Sequence, residues 1–101
     1  SVGAYLYQHA LRGGAAASGR AVAGLAVGQR ADLVALDDAH PDLCGKEEDR
    51  LLDSFIFCNH AHSPVRDVMT GGRWVIRDGR HTLEERSAVA YRNALQDLLA
   101  V

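Results

Sequence analysis

The residue types best suited to chemistry in this chain stand close together at Cys58, His60 and His62. Two histidines at positions i and i+2 of an extended segment point to the same side, because side chains alternate across a strand. Imidazole nitrogens and a cysteine thiolate are ordinary zinc ligands, so the three residues could grip one ion. However, the segment offers no fourth ligand and no rigid base. We therefore predict that these three residues hold no metal.

A second combination of chemical interest is His81 with Glu84 or Glu85, which could act as an acid–base pair. The run Thr82-Leu83-Glu84-Glu85 also matches a capping box, in which the threonine hydroxyl and the Glu85 carboxylate each bind a free amide at a helix start. Capping already explains the acidic residues. The pattern therefore predicts a helix from Leu83 to about Ala100, and no catalytic role.

The other candidate residues have structural explanations. His9 is expected to pack on the apolar side of a helix, and His40 to be solvated in a polar loop. Asp32, at the entry to a strand, is expected to bond nearby turn amides. Neither Gly13-Gly14 nor Gly71-Gly72 has the lysine and spacing of a phosphate loop. We assign no catalytic and no cofactor-binding residue.

Arg73 and Trp74 form the last candidate, since an arginine beside an indole can make a binding surface. Alternation along a strand favours a simpler arrangement, with Trp74 buried in a core and Arg73 outside. We predict this second arrangement.

Composition excludes several classes of partner. The 101 residues carry 11 basic and 13 acidic side chains, a net charge of −2, without the basic stripe that nucleic acid requires. The apolar runs are far shorter than the ~20 residues that span a bilayer, and no signal-peptide pattern opens the chain. Two cysteines, Cys44 and Cys58, are too few for a disulfide scaffold. A cytoplasmic protein is expected.

The first residues have helical periodicity. Ser1 is a candidate N-cap for a helix that runs to Leu11. We expect Gly13-Gly14 to interrupt it and a second short helix to end at Gly19, where a left-handed cap suits glycine.

Strands are expected next. Leu33 to Leu36 is a continuous apolar run typical of a strand covered on both faces. A polar surface loop from Ala39 to Asp53, with room for one helical turn, follows it. Phe55 and Phe57 alternate with their neighbours, which favours a strand over residues 51–58.

A hairpin follows, with strands at Val65 to Thr70 and Arg73 to Arg77 around Gly71-Gly72. This turn places Met69 opposite Trp74 and Val68 opposite Val75. A second turn is predicted at Asp78-Gly79. The terminal helix has an apolar stripe of Ala88, Tyr91, Leu95 and Leu98, and we expect hairpin and helix to form one packing unit.

Two segments carry a family resemblance: GLAVGQRADLVALD, from Gly24 to Asp37, and VRDVMTGGRWVIRDGRH, from Val65 to His81. They resemble the closing part of amidohydrolase superfamily enzymes, and the run from Pro64 to Leu99 is most similar to formimidoylglutamate deiminases. The resemblance implies an α+β C-terminal part of a larger enzyme. Residues 1–19 would be the last helices of a TIM barrel, 20–82 part of a small β-sandwich domain and 83–101 a C-terminal helix.

The resemblance also implies an activity. The parent enzyme would use zinc to convert N-formimidoyl-L-glutamate, a small-molecule substrate, to N-formyl-L-glutamate and ammonia in histidine degradation. The family's metal ligands are a His-x-His, two further histidines and an aspartate, all upstream of the segment that matches Ser1. His60-Ala61-His62 resembles the His-x-His, but only 39 residues follow it. Zinc is expected in the parent and none on this chain.

Partners follow from the same resemblance: the barrel and N-terminal strands of the parent chain should complete the sheet, and a homodimer is left open. Another amidohydrolase, a nucleobase deaminase or chlorohydrolase, is an alternative parent because the Ala-Asp-Leu strand is shared widely. The other alternative is a small non-catalytic α+β module that binds a partner chain, or a metal through Cys58, His60 and His62. A gene with about 350 residues before Ser1 would favour the enzyme.

Overall fold

A computed structural model describes residues 1–20, 24–58 and 60–100. Residues 21–23, Asn59 and Val101 lie outside the described residues. Residues 21–23 follow directly after the domain boundary predicted at residues 19–20, and Asn59 belongs to the Cys58–His62 segment. The described helices are α1 (Val2–Ser18), α2 (Glu48–Phe57) and α3 (Glu84–Leu99). The described strands are β1 (Leu33–Leu36), β2 (Val65–Thr70), β3 (Arg73–Arg77) and β4 (Arg80–His81), in one antiparallel sheet of order β1-β2-β3-β4. The predicted α+β class is confirmed.

Helix α1 is a single helix rather than the predicted pair. The Ser1 hydroxyl accepts a hydrogen bond from the Ala4 amide at 3.1 Å, which confirms the N-cap. Gly19 adopts a φ of 65° and caps the C-terminus in the left-handed conformation, as expected. The break predicted at Gly13-Gly14 is wrong. A mid-helix glycine costs only about 1 kcal/mol relative to alanine, and neighbouring alanines are strong helix formers.

Helix α2 replaces the strand predicted over residues 51–58, which is wrong. Two alternating phenylalanines are too short a pattern to exclude a helix, because Leu51, Leu52 and Phe55 also fall on one helical face. Glu48 and Asp49 lie in the first turn, where acidic side chains interact favourably with the helix dipole.

Helices α1 and α2 approach closely through a glycine. Gly3 is buried, and its amide donates to the Asp53 carboxylate at 2.8 Å. A Cβ atom at position 3 would stand about 3.1 Å from the Cα of Asp53 and would collide with its carboxylate. Only glycine allows this contact without a shift of the helices.

The hairpin forms where it was predicted. Gly71 and Gly72 have φ angles of 56° and 80°, and the predicted second turn at Asp78-Gly79 also has positive φ at both residues. Met69 pairs with Trp74, as expected.

The predicted pairing of Val68 with Val75 is wrong. The register shifts between Val68 and Met69, so that Val68 lies opposite Ile76. A bulge of this kind adds one residue to one strand, and turn glycines alone do not reveal it.

The sheet faces are more open than the sequence suggested. Val34 in β1 is exposed, so the prediction of a strand covered on both faces is wrong. The prediction that Trp74 lies in a core is also wrong, because its side chain is 45% exposed. The Arg77 guanidinium carbon lies 4.1 Å from the centroid of the Trp74 ring. Arg73 is exposed, as predicted.

Helix α3 lies apart from the hairpin. None of its described residues is buried, and the exposed ones include Tyr91, Leu95 and Leu98 of the predicted apolar stripe. The predicted packing of α3 with the hairpin and a buried Trp74 is therefore wrong. An apolar stripe shows which face of a helix can be covered, but not what covers it.

The predicted capping box at the start of α3 is wrong as well. The helix begins at Glu84 after Leu83, without a side-chain cap. The Glu84 carboxylate instead accepts from the His81 amide at 3.3 Å and from the Arg80 guanidinium at 3.1 Å. These bonds hold β4 against the first turn of the helix.

Burial among the described residues is concentrated near the β1–α2 connection. Leu43 is the fully buried hydrophobic side chain of this region, with 0% exposure. No helix in the described ranges is both long and apolar enough to cross a bilayer. Much of the apolar surface on α3 and on the sheet remains open to solvent.

Asp67 of β2 is a buried carboxylate, 5% exposed, that organises the β3–β4 turn. It accepts hydrogen bonds from the Arg66 guanidinium at 2.8 Å and from the Asp78 amide at 2.9 Å. The bond from Arg66 is the main cause of a lowered Asp67 pKa, and the Asp78 amide adds to it.

The lowered pKa predicts an acid-dependent loss of stability. Because the Asp67 pKa in the fold lies below its ordinary 3.8, the carboxylate stabilises the fold above that pH, and the stabilisation is lost as the pH falls through the folded pKa. The gap in unfolding free energy between the native chain and Asp67→Asn should be full near pH ~5 and should close under more acid conditions. Urea unfolding over a pH series measures this, with Asp97→Asn on exposed α3 as control. A pH-independent gap would contradict it.

Candidate metal-binding cluster

The connection between β1 and α2 folds against the segment that follows α2. The Asp37 amide donates to the Pro64 carbonyl at 2.8 Å, which joins the two stretches. Within the connection, the His40 amide donates to the Asp37 carbonyl and the Leu43 amide to the His40 carbonyl, forming successive turns. These turns include the buried Leu43 and carry the side chains at positions 40 and 42.

His40 is 3% exposed, so the prediction that it is solvated is wrong. Its Nε2 lies 2.9 Å from the His62 carbonyl oxygen, and its Nδ1 lies 3.1 Å from the Asp42 backbone nitrogen. A carbonyl can only accept and an amide N–H can only donate, so Nε2 carries the proton and Nδ1 presents its lone pair.

His60 faces acceptors at both ring nitrogens. Its Nε2 lies 3.0 Å from the Phe55 carbonyl oxygen, and its Nδ1 lies 2.7 Å from the Asp42 Oδ2. Both nitrogens must donate, which makes the ring an imidazolium paired with a carboxylate. The hydrogen bond to Asp42 is the main cause of a raised His60 pKa, followed by the bond to Phe55, and the same bond lowers the Asp42 pKa.

The His40, Asp42 and His60 side chains together form what we call the His-Asp cluster. The Asp42 Oδ2 lies 3.8 Å from the His40 Nδ1 and 2.7 Å from the His60 Nδ1. The ligand atoms of the cluster lie within 4.8 Å of one another. Two imidazole nitrogens and a carboxylate oxygen are a donor set suited to a transition metal.

The structure splits the trio that the sequence suggested. His60 belongs to the His-Asp cluster, whereas Cys58 is exposed and the exposed His62 ring packs beside the His40 ring with centroids 4.4 Å apart. The sequence patterns did not single out Asp42, and they placed His40 in solvent. The available signal was the His40-x-Asp42 spacing, which in a turn brings two ligands to one side.

The other sequence candidates have structural roles. Asp32 accepts a hydrogen bond from the Gly71 amide at 2.7 Å, which confirms that it bonds a turn amide. His81 accepts from the Leu83 amide at 3.0 Å and is not paired as an acid–base group. His9 packs against the Tyr5 ring of the same helix face, with ring centroids 4.2 Å apart, as expected, although its side chain is exposed.

The His-Asp cluster does not fit the catalytic zinc that the family resemblance implies. That ion takes a His-x-His, two further histidines and an aspartate, whereas the cluster has two histidines and one aspartate. His60 and His62 have the His-x-His spacing, yet only His60 faces the cluster. The cluster therefore does not supply the ligand set of that catalytic ion.

Comparison with known proteins gives one strong similarity. No family model matches the chain. The chain is 51% identical over 98 residues to formimidoylglutamate deiminase of Pseudomonas aeruginosa, an alignment that covers 97% of this chain. The chain spans 21% of that relative's length. By its similarity to formimidoylglutamate deiminase over almost its whole length, this chain is therefore related to the amidohydrolases.

Proposed function

We propose that this chain is the C-terminal structural part of a metal-dependent deiminase of histidine degradation. The parent would convert N-formimidoyl-L-glutamate to N-formyl-L-glutamate and ammonia. The observation that carries the proposal is the 51% identity to formimidoylglutamate deiminase across 97% of the chain. An identity this high along almost the whole chain supports a deiminase over a nucleobase deaminase, a chlorohydrolase or an unrelated binding module.

The open apolar surfaces support a structural role. Large exposed apolar patches mark interaction surfaces, and such side chains lie on both α3 and the sheet: Val34, Trp74, Val89, Tyr91, Leu95, Leu98 and Leu99. The outer strands of the described sheet, β1 and β4, also present backbone groups to which further strands can add. We infer that the barrel and N-terminal strands of the parent cover these surfaces.

The proposed division of the parent follows the resemblance. Residues 1–19 would be the last helical part of the barrel domain, 20–82 part of the small β-sandwich and 83–101 a C-terminal helix. In the parent, bound zinc would supply an activated water for attack on the formimidoyl carbon. The residues of this chain would stabilise the fold around that site rather than contact the substrate. We propose a cytoplasmic location.

The test uses the longer protein encoded with this chain, purified with its metal. We expect it to release ammonia from N-formimidoyl-L-glutamate and to leave cytosine, adenine and a chlorinated triazine unchanged. Ammonia and N-formyl-L-glutamate should appear in equal amounts. Turnover of a nucleobase or a chlorinated substrate, without turnover of N-formimidoyl-L-glutamate, would move the parent to another amidohydrolase activity.

A further inference from the structure

We propose that the His-Asp cluster binds one divalent transition-metal ion, of which Zn²⁺ is the model case. The site would be structural and separate from the catalytic ion of the proposed parent. His40 and His60 would each contribute Nδ1, and Asp42 would contribute Oδ2. This inference depends on the geometry of the cluster and not on the deiminase activity.

The first argument is distance. Zinc binds imidazole nitrogen and carboxylate oxygen at about 2.0–2.2 Å, which places tetrahedral ligands about 3.3 Å from one another. The two Nδ1–Oδ2 distances in the cluster, 3.8 Å and 2.7 Å, lie on either side of that value. Side-chain adjustments of about half an ångström would make these two distances equal, and the two histidine ligand nitrogens, which lie within 4.8 Å of each other, would move closer together around the ion.

The second argument is the orientation of the rings. Histidines that bind metals almost always donate their other ring N–H to a carboxylate, a backbone carbonyl or water, which fixes the tautomer. Both rings of the cluster do this: the His40 Nε2 donates to the His62 carbonyl at 2.9 Å, and the His60 Nε2 to the Phe55 carbonyl at 3.0 Å. Both Nδ1 atoms are thereby turned toward Asp42 before any ion arrives.

The third argument is what the ion would replace. On the His60 Nδ1 it would take the position of the proton that now bridges to Asp42, and on the His40 Nδ1 it would displace the 3.1 Å bond from the Asp42 amide. The Asp42 side chain is 35% exposed and gives an entry path. Lys46 donates to the Asp42 carbonyl at 2.9 Å, so its charge lies nearby and opposes binding. A fourth position would be filled by water.

The location suggests what the ion would do. His40 and Asp42 precede α2, and His60 follows it. An ion held by all three would tie together the two connections at either end of α2. Binding would then hold these two connections together and fix the ends of the helix.

The experiment is titration of the chain with Zn²⁺, followed by calorimetry, and with Co²⁺, followed by its visible absorption. We expect one equivalent to bind, with a Co²⁺ spectrum typical of four nitrogen and oxygen ligands. Asp42→Asn keeps the size of the side chain and removes its charge, and it should weaken binding at least tenfold. His40→Gln and His60→Gln should weaken binding as much.

Matched controls separate this site from others on the chain. Cys58→Ser tests the cysteine of the trio suggested by the sequence, and His9→Ala removes an exposed histidine elsewhere; both should bind Zn²⁺ as the native chain does. Circular dichroism checks that each variant keeps its helices. If a histidine variant unfolds, Asp42→Asn and the Co²⁺ spectrum still decide the result. Absence of a stoichiometric ion, unchanged affinity in Asp42→Asn, or loss of binding in Cys58→Ser would overturn the proposal.

Discussion

The 101-residue chain by itself should release no ammonia from N-formimidoyl-L-glutamate, whereas the longer deiminase that we propose as its parent should do so readily. Enzymes of this kind accelerate their reactions by at least ~10⁶, so the two preparations should differ by orders of magnitude. The physical reason is that the proposed catalytic ion and its activated water belong to the barrel. In the chain, the ring nitrogens of His40 and His60 are already hydrogen-bonded to Asp42 and to the His62 and Phe55 carbonyls.

The measurement is coupled detection of ammonia with the purified chain, the parent and a protein-free reaction. Purification of the His40→Gln variant in parallel provides a control for contaminating host enzyme, because a contaminant would give equal traces in both preparations. Turnover by the native chain that disappears in this variant would show that the chain is itself catalytic, and the structural role would then be wrong.

Replacement of Leu43 by alanine should strongly destabilise this protein, because Leu43 is the fully buried hydrophobic side chain among the described residues. Leu43 is fully buried, and a buried leucine truncated to alanine costs about 2–5 kcal/mol through lost transfer energy and the cavity that remains. Leu98→Ala is the matched control, since Leu98 is 70% exposed on α3 and exposed sites usually change stability by less than about 0.5 kcal/mol. Urea unfolding of the two variants and the native chain gives the comparison.

The same pair of variants tests the proposed parent. In the longer protein, α3 would be covered, so Leu98→Ala should cost more there than in the isolated chain. Leu43→Ala should cost a similar amount in both. If the two variants lowered the unfolding free energy of the isolated chain by the same amount, Leu43 would not lie in its hydrophobic core.

Local chemistry made several features predictable. The Gly71-Gly72 and Asp78-Gly79 pairs predicted the two turns, because these turns need residues with positive φ. Glycine adopts positive φ without strain, and aspartate adopts it more readily than most residues. Ser1 and Gly19 predicted the ends of α1 for similarly local reasons. The family resemblance was also carried by local segments. By contrast, the bulge at Val68 and the exposure of Trp74 depend on which neighbours a strand acquires.

The sequence by itself determined the turns, the caps of α1 and the relationship to amidohydrolases, because these depend on residues close together in the chain. Only the tertiary structure decided the His-Asp cluster, and the physical reason is the conformation of α2. Ten residues span about 33 Å as a strand but only about 15 Å as a helix. Because Glu48–Phe57 is helical, the chain returns His60 to within 2.7 Å of Asp42. A strand there, as the alternating phenylalanines suggested, would have kept the two residues apart.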